Sequence, residues 1–199
     1  MVIKISEMSG KLKGIEAINT NPLSNDFCKR MNSCGNSNII CTECYSCSML
    51  KAYRKNCVPA FERNSIALST EELNDIPKLK KNDIIRIHAH GELINDTHLN
   101  NIMKVVNAYP TKTFSLYTKR MDMIEKHFGN IKKPQNLILV YSNPKIDIPL
   151  LDIPKHFDKV FNVCRTTNLD KINCGAASCN TCRRCYNMNA ENIIYEMIK

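Results

Sequence analysis

Residues 83–91 read DIIRIHAHG, a short run of β-branched residues that ends in polar ones, and this stretch decides the fold. Helix-like stretches separate it from later runs of the same kind. Strands and helices that alternate at intervals of roughly 20–30 residues are typical of βα units around a parallel sheet. The later strand-like runs are TFSLYT (113–118), NLILVYSN (136–143) and KVFNVC (159–164).

Helices are predicted between these runs from the spacing of their apolar residues. One apolar stripe lies in residues 97–110, with Thr97 as the expected N-terminal cap. A second helix is expected to end at Gly129, and a short helix broken by prolines is expected in 148–157. A last helix is predicted in 190–199.

Two weaker strand patterns precede the clear ones, VIKIS (2–6) and GIEAI (14–18). Six strands are too few to close an eight-stranded barrel, which takes about 250 residues. The sequence therefore predicts an α/β fold in the form of an open, partial βα barrel with a parallel sheet. A doubly wound sheet is the alternative.

The length predicts a single domain, 1–199, with three parts. An N-terminal cysteine-rich segment covers 28–57, βα units cover 83–164, and a C-terminal cysteine cluster covers 164–186. Residues 48–69 are expected to be helical on both sides of Pro59. The residues of this stretch that should face the core are Ala60, Phe61, Ile66 and Ala67.

The chain has a formal net charge of +9, but its basic residues are scattered rather than gathered in one block. Four-thiolate clusters or zinc sites at two places would reduce this charge to about +5. The N-terminus lacks the apolar region of a secretory signal, and no run approaches the length of a membrane span. A cytoplasmic location is expected, where thiols stay reduced and eleven cysteines favour metal over disulfides.

Two cysteine triplets share the same spacing. CTECYSCSM (41–49) holds Cys41, Cys44 and Cys47, whereas CGAASCNTCRRCY (174–186) holds Cys174 and then Cys179, Cys182 and Cys185. Three cysteines in a row at this spacing are closer to ferredoxins than to zinc fingers, which use separated pairs. We expect one or two iron–sulfur clusters of the [4Fe–4S] type, with zinc as the alternative.

The remaining cysteines leave the ligand sets open. Cys28, Cys34 or Cys57 could complete the first site, and Cys164 or Cys174 the second. Both segments could also contribute to one site, because chain ends of a compact fold often lie close together. A four-cysteine first site is the expectation, since an open iron is prone to loss and oxidation.

Polar side chains follow the predicted strands, where parallel βα folds bind their ligands. Arg86, His88 and His90 alternate with apolar residues and should face one side. They could bind an anionic ligand, transfer protons or ligate a metal. The candidate catalytic residues are His88, His90 and Glu92, and the candidate ligand-binding residues are Arg86, His88, His90, Thr118, Arg120, Ser142 and Asn143. The other histidines, in predicted helices, are expected to be surface or packing residues: His98, His127 and His156.

Several stretches between residues 41 and 186 resemble the phage gene-product-88-like family. They are CTECYSCSMLKAY, AFERNSIAL, IIRIHAHGEL, FSLYTKR and CGAASCNTCRRCY. The resemblance implies a bacteriophage protein that binds iron–sulfur and acts in the cytoplasm of the infected host cell.

A more distant similarity is to radical S-adenosylmethionine enzymes, which also place a three-cysteine loop before a partial βα barrel. Their loop reads C-x3-C-x2-C, whereas this chain has C-x2-C-x2-C, with Tyr45 directly after the middle cysteine. Gly91-Glu92 stands where they carry Gly-Gly-Glu-Pro.

Three functions follow from these patterns. The first is an iron–sulfur protein with a redox or electron-transfer role, which would hold a small anionic ligand or meet a redox partner. The second is a radical S-adenosylmethionine-type enzyme. The third is a zinc or iron–sulfur module that binds nucleic acid or a host protein through its basic residues.

Overall fold

The computed structural model describes residues 2–80, 82–165 and 172–198, and its centre is a seven-stranded sheet. The strands lie in space in the order in which they occur in the chain. β1 and β2 are antiparallel, and every later neighbour is parallel. The strands are β1 Ile5–Glu7, β2 Glu16–Ile18, β3 Ile84–Ile87, β4 Thr113–Thr118, β5 Leu137–Ile146, β6 Lys159–Cys164 and β7 Ile193–Met197.

This arrangement confirms an α/β fold with an open, mostly parallel sheet. β1 and β7 are its two edges, so the sheet is not closed. A doubly wound sheet reverses its strand order at one point, and the order observed here contains no reversal.

The helices lie in the connections between the strands. The long connection from β2 to β3 contains the first three helices, and a four-residue helix precedes β7. The helices are α1 Asp26–Asn32, α2 Tyr45–Lys51, α3 Val58–Ser69, α4 Asp96–Ala108, α5 Met121–Phe128 and α6 Cys179–Cys182. Short 3-10 turns cover Gly10–Leu12, Ile40–Glu43, Lys55–Cys57 and Arg184–Tyr186.

The two faces of the sheet are covered by different parts of the chain. On one face, Ile85, Ile87 and Leu116 pack with apolar residues of α3, α4 and α5 to form the main core. On the opposite face, Tyr117, Ile138 and Val140 pack against Cys185, while Ile84 packs against Tyr186. The C-terminal cysteine segment therefore covers the face that the helices leave open.

Two predicted helices are absent from the described residues. The segment 190–199 contributes β7, which pairs with β6 in parallel, because its β-branched Ile193 and Ile194 extend along an open sheet edge. Residues 148–157 form neither helix nor strand, since Pro149 and Pro154 remove backbone donors within a short segment.

Two smaller expectations about the helices are also wrong. The N-terminal cap of α4 is Asn95, whose side chain accepts a hydrogen bond from the His98 backbone N–H, so Thr97 lies inside the helix. Phe61 and Ala67 are buried as expected, but Ile66 is 41% exposed. Pro59 occupies the first turn of α3, where its missing N–H is harmless.

Candidate cysteine sites

The first cysteine site brings together four thiols from one long connection. Cys28 lies on α1, Cys41 on the 3-10 turn, Cys44 directly before α2 and Cys47 in the first turn of α2. Negative charge on Cys44 or Cys41 raises the pKa of Cys28, and negative charge on Cys44 raises the pKa of Cys41. The pKa of Cys47 is raised in the same way by Cys44 and Cys28. The fold thus places Cys28 beside the triplet, a proximity that the spacing within the triplet cannot reveal.

Backbone contacts fix this segment over the carboxyl end of β5. Ile39 forms an isolated antiparallel bridge with Lys145, and the Ile146 N–H donates to the Asn38 carbonyl at 2.8 Å. The Asn32 side-chain amide donates to the Cys41 carbonyl at 2.7 Å and so links α1 to the turn. These contacts explain how cysteines distant in sequence from the strands reach the strand ends.

Lys119 is the cation of the first site. It follows β4, and its ammonium group donates to the Ser142 hydroxyl at 3.1 Å. Burial alone would lower its pKa, but Cys41, Glu92, Cys44 and Cys28 raise it overall. A cation surrounded by thiols stabilises the thiolate form that metal binding requires.

The thiols themselves differ in their protonation. The Cys44 and Cys47 thiols are hydrogen-bonded to each other, which lowers the pKa of Cys44 and, together with burial, raises the pKa of Cys47. Burial raises the pKa of Cys28 and of Cys41. These shifts favour the thiolate form at Cys44 and the thiol form at Cys47.

Glu92 is a buried carboxylate that organises the strand ends. It accepts hydrogen bonds from the Leu93 N–H at 2.8 Å, the Thr118 hydroxyl at 2.5 Å and the Lys119 N–H at 2.8 Å. Burial raises its pKa. Because all of these donors belong to neighbouring backbone or side chains, Glu92 holds the ends of β3 and β4 together and positions Lys119.

The expectation that Arg86, His88 and His90 face one side is wrong. β3 ends at Ile87, and His88 adopts a left-handed φ of 60°, which breaks the alternation. The His88 ring meets the buried His98 of α4 at a centroid distance of 5.2 Å, whereas the Arg86 guanidinium lies over the Tyr117 ring. Arg86 and His88 therefore point to different surroundings.

His90 lies next to the first site. Its Nδ1 is 2.8 Å from the Ser46 hydroxyl, and its ring stacks on Phe61 and Tyr45 at centroid distances of 5.6 and 6.0 Å. Burial lowers the pKa of His90 to about 4 and that of His88 to about 3. Both rings are neutral at pH 7.

The other predicted ligand-binding residues are engaged within the protein. Thr118 donates to Glu92, Ser142 accepts from Lys119, and Asn143 donates to Asn162 and to a backbone carbonyl. Arg120 pairs with Asp122 and also lines a polar groove of about 400 Å³ between α1 and α3.

The second cysteine site is a small cavity lined by four cysteines. Cys174, Cys179, Cys182 and Cys185 all line it, and no cysteine of the first site does. The two cysteine groups are thus separate, which argues against the alternative in which both contribute to one site. The enclosed space is about 20 Å³, near the size of one water, so a four-iron cluster would require these side chains to turn outward.

Lys11 holds Cys174 at this cavity. Its ammonium group contacts the Cys174 carbonyl at 3.0 Å, the Cys174 sulfur at 3.1 Å and the Glu196 carboxylate at 3.0 Å. The Cys174 N–H donates to the Tyr195 carbonyl, so this cysteine runs alongside β7. Burial raises the pKa of Cys179 to about 11, although Lys11 and Arg86 oppose that shift.

Three cysteines outside these two groups have other surroundings. Cys57 packs in an apolar cluster with Met49 and Phe61, Cys34 is exposed near Cys41, and Cys164 ends β6 away from the cavity. All eleven cysteines are described, and no disulfide joins any two of them. Among the described residues, no three His, Cys, Asp or Glu side chains are arranged to hold a single metal ion.

Sequence reasoning places Lys119 among the polar residues after a predicted strand but not among the candidate binding residues. It does not select Lys11 and does not connect Arg86 with the second site. Nothing in the sequence connects Lys11 to Cys174, because 163 positions separate them. Such contacts exist only once the sheet has brought the chain ends together.

Fold and sites together define a cysteine-rich α/β protein on an open, mostly parallel sheet, with one cysteine group at the strand ends and another on a sheet face. In the part of the chain that is described, every helix is too short or too polar to cross a bilayer. The chain belongs to the gene product 88 family, whose family model matches residues 6–194, and this confirms the phage-family resemblance. Neither the curated proteins nor the solved structures contain a match.

Proposed function

We propose that this protein is a phage-encoded iron–sulfur protein with a redox or electron-transfer role, and that each cysteine group holds a [4Fe–4S] cluster. The observation that carries the proposal is that one cavity is lined by four cysteines, Cys174, Cys179, Cys182 and Cys185. Four thiolates are the usual ligand set of such a cluster. A bound cluster would supply one-electron transfer at a potential that depends on its surroundings.

The donor chemistry around the second cavity fits an anionic cluster. Lys11 contacts the Cys174 sulfur, and the buried Arg86 Nε has no hydrogen-bond partner among the described residues. Cations and unused N–H donors beside thiolates favour their ionised form and can bond to cluster sulfur. Zinc remains the alternative metal, but the thiols do not form a preformed single-ion site.

The role of the chain's own residues follows from their positions. Cys28, Cys41, Cys44 and Cys47 would hold the first cluster at the strand ends, with Lys119 balancing its charge. His90, neutral and bonded to Ser46, would fix the start of α2. A location in the cytoplasm of the infected host cell, where thiols stay reduced, belongs to the same proposal.

A radical S-adenosylmethionine-type enzyme is the second candidate. It is favoured by the place of the Cys41–Cys47 loop at a strand end of an open βα sheet, where Ser46 contacts His90, the residue directly before Gly91-Glu92. The position of Cys28 weighs against it, because a fourth cysteine would occupy the iron that must bind S-adenosylmethionine. The first candidate therefore accounts for more of the geometry.

The proposal is tested by anaerobic purification followed by a visible spectrum and iron, sulfide and zinc analysis. We expect a coloured protein with iron and sulfide in equal amounts, about four of each per filled site. Cys179→Ser and Cys182→Ser should each remove about half of the iron and lower the melting temperature, because metal binding contributes to folding. Cys164→Ser is the matched control, since Cys164 lies outside the cavity. A colourless protein with stoichiometric zinc would contradict the proposal.

A further inference from the structure

We infer that Arg86 balances the negative charge of the second cysteine site, and that it thereby sets how tightly the site holds its metal and how readily it accepts an electron. The inference rests on the proposed function and assigns to that site a residue that is not one of its ligands.

Arg86 is a cation in an unusual place. It lies in β3, with its side chain on the sheet face that the C-terminal segment covers, and its guanidinium carbon is 3.0 Å from the centroid of the Tyr117 ring. Its Nε is buried without a hydrogen-bond partner among the described residues. Removing a charge from water is unfavourable, and a cation–π contact offsets only part of that cost.

The three cations that line the cavity have carboxylate partners. Lys11 pairs with Glu196, Arg183 with Asp83, and Arg184 with Glu191. No ion pair of the described residues includes Arg86. Arg86 lies beside the cavity and, like the buried Lys159 near Cys185, has no ion-pair partner among the described residues. The Lys159 ammonium group donates to the Ala190 and Glu191 carbonyls, whereas the Arg86 Nε has no acceptor.

The groups around Arg86 that can carry negative charge are Cys185, Tyr117 and Tyr186. Phenols are neutral at pH 7, since their ordinary pKa is about 10. Cys185 remains, and the Tyr117 hydroxyl is hydrogen-bonded to it. The counter-charge that Arg86 lacks is therefore supplied when Cys185 becomes a metal-bound thiolate.

The charge of the metal site determines in which direction Arg86 shifts its reduction potential. A [4Fe–4S] core of charge +2 with four thiolates carries −2, and uptake of one electron from an external one-electron donor takes it to −3 without a proton. A zinc ion with four thiolates also carries −2. A fixed positive charge nearby stabilises both states and favours the reduced cluster most.

The test compares Arg86→Met, Arg86→Gln and Arg86→Lys with the wild-type protein, and uses Arg183→Met as the matched control. Arg183 lines the same cavity but is paired with Asp83. The midpoint potential is measured by redox titration with electron paramagnetic resonance, and metal retention by the rate of release to a chelator. For the neutral variants we expect at least a tenfold shift against reduction, about 59 mV lower for one electron, and at least tenfold faster release.

Arg86→Lys should keep most of the wild-type values, and Arg183→Met should change them little. A merely structural role would not separate a charged from a neutral variant of similar size. The inference would be overturned if both neutral variants kept the wild-type midpoint potential and metal retention. It would also be overturned if Arg86→Lys lowered the potential and the retention as much as Arg86→Met does. If the wild-type protein holds zinc, the proposed redox function fails, whereas the chelator measurement still tests the role of Arg86.

Discussion

Mild acid should destabilise this protein through its buried histidines. Three histidines are buried, and burial lowers the pKa of each from 6.5 in the unfolded chain. The pKa falls to about 3 in His88 and about 4 in His90, which are 4% and 8% exposed, and His98 adds to the same effect. Because the folded-state pKa is depressed, the stabilisation is fully present above pH 6.5. It is lost as the pH falls toward the folded value.

The magnitude follows from the difference between the two states. At pH 5 each histidine lies about 1.5 pH units below its unfolded pKa and is still neutral in the folded protein. One unit corresponds to about 1.4 kcal/mol, so each ring should cost about 2 kcal/mol between pH 7 and pH 5, and His88 and His90 together about 4 kcal/mol. That is a large part of the total stability of an ordinary domain.

The assay is urea unfolding at pH 7 and pH 5 of wild-type and His90→Gln protein in the same metal state. At pH 7, His90→Gln should lose about 1–3 kcal/mol, because the bond to Ser46 and the stacking on Phe61 disappear. Its loss between pH 7 and pH 5 should be about 2 kcal/mol smaller than that of the wild type.

His127→Gln is the control, because His127 is only half-buried and the charge of Asp96 opposes the lowering of its pKa by burial. Its dependence on pH should stay close to that of the wild type. Comparing variants in one metal state cancels the protonation of the thiols. Equal losses in wild-type and His90→Gln protein would refute the reasoning.

Two further predictions concern the backbone and the first cysteine site. Gly91→Ala should destabilise the fold by about 2–4 kcal/mol, because φ is +95° and a Cβ would meet the Thr20 backbone carbonyl oxygen at 2.5 Å. Gly35→Ala is the control in thermal unfolding, and it should cost only about 1 kcal/mol because open space surrounds that position. Cys28→Ser should lower the iron content of the first site, whereas Cys57→Ser should not. Cleavage of S-adenosylmethionine by the wild-type protein would show that Cys28 is not a ligand.

The strands were predictable because their signal is local. The apolar runs at residues 84–87, 113–118 and 137–141 are rich in β-branched and aromatic side chains, and each became part of a strand. The strand β7 was not predicted, because a five-residue run with Glu196 and Met197 is compatible with either helix or strand. The exposed edge of β6 decides between the two, and that edge exists only in the folded sheet.

Only the part of the candidate sites that follows from the spacing of cysteines within each triplet was predictable from the sequence. The three-residue spacing identifies each cysteine triplet in the sequence. The position of Cys28 beside the first triplet depends instead on how α1 packs on the 3-10 turn. The strand-end prediction failed where a left-handed residue, His88, interrupts the alternation. Histidine is enriched among non-glycine residues of positive φ, but the conformation is too uncommon to be expected inside an alternating strand pattern.

The covering of the second sheet face limits where a small ligand could bind. A βα sheet normally offers polar residues at its strand ends, and Arg86 looks like one of them in the sequence. In the folded chain Tyr186 packs against Ile84, and Cys185 packs against Tyr117 and Val140. A ligand could reach Arg86 only if the cysteine segment left the sheet. The strand ends beside Lys119 and the groove at Arg120 are therefore the places where an anionic ligand could approach without unfolding the second site.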